Sequence, residues 1–217
     1  QDNSYHIRSR ILGTIVNDED HNINNILQTP ELLREYSPKF YNLMNNITSR
    51  KHKCLVYSTF IQNGGLNNIE VMLTAASIEF RRVTGDESKA DKQRNIDEFN
   101  RNQDIMVMLI SEAGAQGISL ENVRDVHIIE PHWNFTRMEQ VIGRAIRKGS
   151  HKSLPKSQRN VSIFMYISTI PDEKTADFLN TESISLEERK KLSVRITKLK
   201  MADNHQTMDQ YLLSIME

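Results

Sequence analysis

Four short, largely apolar runs constrain this chain more than any other feature. They are CLVYSTF (residues 54–60), DIMVMLIS (104–111), VHIIE (126–130) and VSIFMYIS (161–168). A strand with one wet face alternates apolar and polar residues; a continuous apolar run implies burial on both faces, as in a parallel sheet. A weaker run, SIEFRRVTG (77–85), ends in a glycine turn and adds a fifth candidate strand. Parallel strands need long crossovers, and the intervening stretches read as helices. Ser37-Pro38 sets an N-cap and a proline start before Phe40, Leu43, Met44 and Ile47 at helical spacing. Further helices are expected over 69–76, over 88–102 on the anchors Ile96 and Phe99, and over 135–148. Alternating strands and helices give an α/β fold with a mainly parallel sheet between two helical layers. A length of 217 residues suffices to bury such a core.

The flanks differ in character. Residues 1–36 have weak periodicity: the apolar stretch 11–16 leads into NDEDHNINN, a polar loop. This segment is expected to be a linker or the trailing edge of a preceding domain. The domain proper is placed at 37–170. Residues 171–217 are polar and helix-prone and read as a helical extension, with a basic segment RKKLSVRITKLK at 189–200. The opening QDNSYHIRSR resembles neither a signal nor a transit peptide and lacks Met, so the chain is expected to be a piece of a longer polypeptide. No apolar run approaches the roughly 20 residues of a membrane span.

Charge and cysteine content narrow the function. Lys+Arg and Asp+Glu are each 28, so net charge is zero. That argues against a protein that coats nucleic acid, but not against a local basic face. A single cysteine excludes a disulfide framework and a cysteine-based zinc site, and fits a reducing, intracellular setting. Cys54 opens a buried strand and reads as packing. His127, His132 and His151 lack metal-type spacing, so no metal site is expected.

The most informative stretch is MEQVIGRAIRKGSH, residues 138–151. At 100° per residue, Phe135, Met138, Val141, Ile142, Ala145 and Ile146 share one side of a helix. Arg137, Gln140, Arg144 and Arg147 share the other, with Gly143 beside them. Guanidinium groups bind phosphate oxygens in bidentate geometry, and arginines three apart can converge on one anion. A solvated arginine stripe is the plain alternative. Upstream, the best strand runs into SEAGAQGISL (111–120), where Gly114 and Gly117 let the backbone bend towards a ligand beyond the strand's carboxyl end.

Taken together, these segments resemble superfamily 2 helicases. QVIGRAIR matches the QxxGRxxR pattern of their motif VI, SEAGAQGISL is similar to motif V, and CLVYSTF to motif IV. Order and spacing are those of the family's second, C-terminal RecA-like domain. VHIIEPHWN resembles the strand and Trp-Asn turn of chromatin-remodeller ATPases. SPKF, LVYSTF, SEAGAQGISLENVRDVHIIEPHWN and QVIGRAIRKGSHKSLP together are most similar to helicases of nucleocytoplasmic large DNA viruses, of the early transcription factor and nucleoside triphosphatase type. The likeness extends over residues 5–169 and implies a RecA-like three-layer domain.

The resemblance also implies roles. Arg144 and Arg147 would be arginine fingers reaching a nucleotide held mainly by a partner RecA-like domain, upstream in the same polypeptide. Gln140, Gly117 and Gly143 would border the nucleotide. Ser58 or Thr59, Ser111 and Gly114 would contact the nucleic-acid backbone, which grips without reading sequence. ATP with magnesium is the implied cofactor. DNA is the implied partner, RNA its alternative, with viral RNA polymerase or transcription factors beyond it, in the host cytoplasm or the virion. Against the full family pattern, no GxxxxGK[ST] loop occurs here, and no apolar strand ends in a DExx box. IDEF (96–99) lies in a charged helix, so Asp97 and Glu98 read as helix charges rather than magnesium ligands. The chain is therefore expected to be an incomplete ATPase that does not hydrolyse ATP alone. A non-catalytic docking module in a viral transcription complex is the competing reading. A Rossmann enzyme is excluded, because no GxGxxG follows the first strand. Trp133 is expected to brace the turn before the arginine helix, and segment 189–200 either contacts nucleic acid or forms a solvated helix face.

Overall fold

A computed structural model describes residues 14–15, 22–131 and 135–169. His132, Trp133, the segment 189–200 and the side chains of Phe135 and Arg137 lie outside the described residues. Helices α1 (Ile23–Gln28), α2 (Pro30–Tyr36) and α3 (Pro38–Arg50) precede β1 (Cys54–Tyr57). Then follow α4 (Leu66–Ala75), β2 (Phe80–Val83), α5 (Lys89–Arg101), β3 (Val107–Ile110), β4 (Asp125–Ile128), α6 (Phe135–Ala145) and β5 (Ser162–Met165). The five strands form one sheet in the order β2-β3-β1-β4-β5, every neighbouring pair parallel. This is the expected α/β architecture.

The continuous apolar runs are explained by two cores. In β1, Cys54 and Val56 face one core while Leu55 and Tyr57 face the other; β3 repeats this with Val107 and Leu109 against Met108 and Ile110. The first core lies under α1–α4, through Ile26, Leu33, Phe40, Leu43, Leu66, Ile69 and Leu73. The second lies under α5 and α6, through Ile96, Phe99, Met138, Val141 and Ala145. A residue pair in a middle strand is thus apolar on both sides because helices cover both sides.

Local chemistry sets the helix starts. The Ser37 Oγ accepts from the Phe40 N–H at 3.4 Å, and Pro38 occupies the first turn of α3. Asn22 caps α1, accepting from the Asn24 N–H at 2.9 Å, and Pro30 opens α2. Here the structure departs from the expectation of a linker: within residues 22–36, Ile26, Leu27 and Leu33 are buried in the first core. Two short helices separated by one residue carry those apolar groups in pairs too close together for a visible 3.6-residue repeat. At the sheet's N-terminal edge, Asp125 is 2% exposed and takes a two-pronged ion pair from Arg50, at 2.9 Å on each oxygen, while the His52 Nδ1 lies 3.0 Å away.

Candidate functional site

Ligands of open parallel sheets bind beyond the strands' carboxyl ends, where successive connections leave on opposite faces. Here β1 leaves through α4 on one face and β4 through α6 on the other, which places the switch between β1 and β4. The residues just past those ends are Ser58, Thr59 and Glu130.

Glu130 closes this crevice. Its side chain is fully buried, accepting from the Ser58 Oγ at 3.0 Å and from the Thr59 N–H at 3.0 Å. The Ser58 Oγ also accepts from the Phe60 N–H at 3.1 Å. Ser58 is therefore wholly internal in this arrangement, and its hydroxyl does not reach a solvent-borne phosphate. The Thr59 Oγ1 is buried and, among the described residues, lacks a hydrogen-bond partner. Glu130 terminates an otherwise apolar run, a signal legible in VHIIE but given no role by motif reading.

The small-residue loop after β3 is held equally tightly. The Ser111 Oγ donates to the Thr84 carbonyl at 2.6 Å and accepts from the Gly114 N–H at 3.3 Å, so this serine too is bonded internally. A Cβ on Gly114 would sit 1.8 Å from the Val83 carbonyl oxygen. Gly114 is thus a packing glycine, demanded by the close approach of two backbones. Gly117 differs: φ is +71°, a left-handed conformation that favours glycine, and nothing lies within 4 Å of its missing Cβ. From α5, the Lys92 Nζ donates to the Gly114 carbonyl at 3.1 Å and the Gln116 carbonyl at 2.6 Å. Beside the loop, Glu87 accepts from the Thr84 N–H, the Thr84 hydroxyl and the Gly85 N–H at 2.8–2.9 Å. Burial alone pushes the Glu87 carboxyl up, but these hydrogen bonds outweigh it and hold it below the usual carboxylate range. Lys92 and Glu87 have no motif signature; the fold brings Lys92 to the loop, whereas Glu87 bonds to its near neighbours Thr84 and Gly85. Asp97 and Glu98 lie on α5, where Asp97 accepts from Gln93 at 2.9 Å and Glu98 pairs with Arg81 at 2.5 Å.

Helix α6 packs as expected through Met138, Val141 and Ala145, which are 0–3% exposed. Gln140 is exposed, Arg144 half-buried, and Gly143 has nothing within 4 Å of a built Cβ. Ala115, Ile118 and Leu120 of the loop share the second core with α6, so Gly117, Gln140 and Arg144 emerge on the same face of the sheet. Two expectations are corrected. The helix ends at Ala145, so Arg147 sits in the following turn rather than one helical turn from Arg144. Ile146, read as part of the packed face, is 47% exposed. The reason is local: the Ser150 Oγ reaches the carbonyls of Ala145 and Arg147 at 3.2 and 2.8 Å, and Gly149 adopts φ +91°, which turns the chain out of the helix. Among the described residues, no group of three or more His, Cys, Asp or Glu could hold a metal ion.

Comparison with known proteins bears on this geometry. Residues 38–149 match the family model described as the helicase conserved C-terminal domain. Two proteins of Acanthamoeba polyphaga mimivirus named as ATP-dependent RNA helicases are similar to 70% and 65% of the chain, at 36% and 34% identity. Nucleoside triphosphatase I of Melanoplus sanguinipes entomopoxvirus is 27% identical over 67% of it. The chain spans about a third or less of these relatives, covering 34%, 28% and 23% of their lengths. Among solved structures, the C-terminal part of the Fun30 ATPase domain superposes with a TM-score of 0.54 at 26% identity, over 75% of this chain and 52% of that one.

Proposed function

This chain belongs to the helicase conserved C-terminal domain family, and on that premise we propose that it is the second RecA-like lobe of a nucleic-acid-dependent ATPase. The observation that carries the reading is that Gln140, Gly143 and Arg144 lie on the side of α6 away from the second core, while Gly117, in a loop packed on the same core, has open space at its missing Cβ. Glycine in a helix with free space around it costs stability relative to alanine, and none of the described residues requires it. A surface that must admit another body closely supplies the reason. That body, on this reading, is a nucleotide with magnesium seated on a partner lobe, since this chain has no GxxxxGK[ST] loop of its own. When bound, ATP supplies the phosphoryl group whose charge the lobe helps to neutralise. Arg144 and Arg147 would bring guanidinium groups to its oxygens, and Gln140 would border it.

Because Ser58 and Ser111 are bonded inward and the Thr59 hydroxyl is buried, we assign nucleic-acid contact to the backbone of the 111–120 loop, with Ser58, Thr59, Ser111 and Gly114 holding those segments in place. The division into 1–36, 37–170 and 171–217 is kept as a proposal, with residues 22–36 packing on the lobe. DNA is the proposed substrate, and transcription the proposed process. The mimivirus relatives carry RNA helicase in their names, so both polymers belong in the test.

The experiment joins this lobe to a phosphate-binding RecA-like lobe and replaces Arg147 or Arg144 with Ala. Turnover stimulated by DNA or RNA should fall by on the order of 10³-fold while nucleotide binding persists. Unchanged turnover would support the docking-module reading instead. The 217-residue chain alone should show no steady-state ATP hydrolysis; measurable turnover overturns its assignment as an incomplete ATPase.

A further inference from the structure

Between Glu139 and Asp172 the sequence contains no acidic residue, yet the turn and loop after α6 carry Arg147, Lys148, Lys152, Lys156 and Arg159. All five are exposed, and none forms an ion pair among the described residues. This run of cations with no carboxylate among or beside them contrasts with Arg50, Arg81, Arg82 and Arg94, each matched with a carboxylate.

The loop is also built rather than slack. The Asn122 N–H donates to the Ser150 carbonyl at 2.9 Å, His151 Nε2 to the Val123 carbonyl at 2.6 Å, and the Ser153 Oγ to Asn122 Oδ1 at 2.7 Å. The Arg159 guanidinium donates to the Leu154 and Lys152 carbonyls at 2.8 and 2.9 Å. These bonds tie the loop to the segment entering β4, at the N-terminal edge of the sheet. Ser58, Ser111 and Glu130 lie at the opposite edge. A loop already ordered loses less conformational freedom when it binds.

We propose that the loop over residues 148–160 is a second docking platform for the phosphate backbone of nucleic acid, separate from the strand-end loops and from Arg147, which is left to the nucleotide. This rests on the nucleic-acid-dependent reading above and adds a contact that reading does not contain. Phosphate oxygens fit the surface because the cations are interleaved with neutral donors, Ser157, Gln158 and Asn160, all exposed. A protein partner fits less well, since Leu154 and Pro155 are the only apolar side chains between Arg147 and Asn160 other than glycine. Backbone contacts of this kind carry no sequence preference.

The test uses the 217-residue chain and a triple variant, Lys148→Gln, Lys152→Gln and Lys156→Gln, with binding to a random-sequence DNA duplex measured across a salt series. Each phosphate contact contributes about 0.9 to the slope of log K against log salt, so the slope should fall by about 2–3 at unchanged thermal midpoint. An unchanged slope overturns the platform and leaves the ATPase reading standing. So does absence of duplex binding by the parent chain at low salt, or tighter binding to poly-glutamate than to the duplex. The ATPase reading fails separately, by the arginine variants of the joined lobes.

Discussion

Replacing Gly143 with Ala should stabilise this chain and harm the enzyme it serves. Gly143 lies in the interior of α6, whose helical residues run from Phe135 to Ala145, and among the described residues no atom outside the helix's own backbone lies within 4 Å of where its Cβ would stand. The methyl group therefore meets nothing, and only the helix term remains: alanine is favoured over glycine by about 0.5–1 kcal/mol in a helix interior. With a urea m-value of about 2 kcal/mol/M, the midpoint should rise by about 0.3–0.5 M at constant m. Gly114→Ala is the matched opposite, because its Cβ would overlap the Val83 carbonyl at 1.8 Å and force two backbones apart. That overpacking should cost at least about 1–3 kcal/mol. In the joined two-lobe enzyme, Gly143→Ala should retain its stability gain and lose nucleic-acid-stimulated turnover. A fall in the urea midpoint of the single lobe would refute the open-space argument. Full turnover in the joined enzyme would refute the claim that another body approaches this face.

Two further outcomes follow from buried titratable groups. His127 is fully buried, stacked on Phe164 with ring centroids 5.0 Å apart and bonded through Nδ1 to the Tyr166 hydroxyl at 2.8 Å. Burial lowers its pKa from 6.5 to about 4, against a smaller upward pull from Asp125. The unfolded chain thus binds more protons between those values, so the neutral imidazole's contribution is complete above pH 6.5 and is lost as pH falls towards 4. The loss should reach about 3 kcal/mol at most by urea titration, and His127→Phe should flatten that part of the curve; an equal slope in the variant refutes the assignment. Cys54 is 1% exposed, and burial pushes its thiol pKa up. A thiol reagent should label it only as fast as the lobe opens, so labelling within seconds without denaturant would contradict the packing.

Much of the fold is legible in the amino-acid sequence. Three of the four apolar runs announced strands covered on both sides, and Ser37-Pro38 announced the start of α3; the fourth run forms β5, an edge strand on which Ile163 is 48% exposed, so burial on both faces does not hold there. The N-terminal helices were not legible, because six- and seven-residue helices are shorter than the window in which a 3.6-residue period emerges. Their apolar groups acquire meaning only against a sheet that comes later in the chain.

The candidate site divides the same way. Residue type and spacing were enough to single out Gln140, Gly143 and Arg144 on one helix face, since helical geometry is local. Spacing could not show that the helix stops at Ala145, because its end depends on a serine hydroxyl and a left-handed glycine beyond it. Nor could it separate Gly114, which admits a neighbouring backbone, from Gly117, which bends its own. Glu130, Lys92 and Glu87 reach their partners across sequence separations of 72, 22 and 3 residues. The face of the arginine helix follows from periodicity along one element, the layers from the alternation of strands and helices, and the family from motif resemblance, which the match over residues 38–149 bears out. Which polar groups are bonded inward is settled by the packed fold, because the partners of Glu130 and Lys92 lie on other elements, 72 and 22 residues away along the chain.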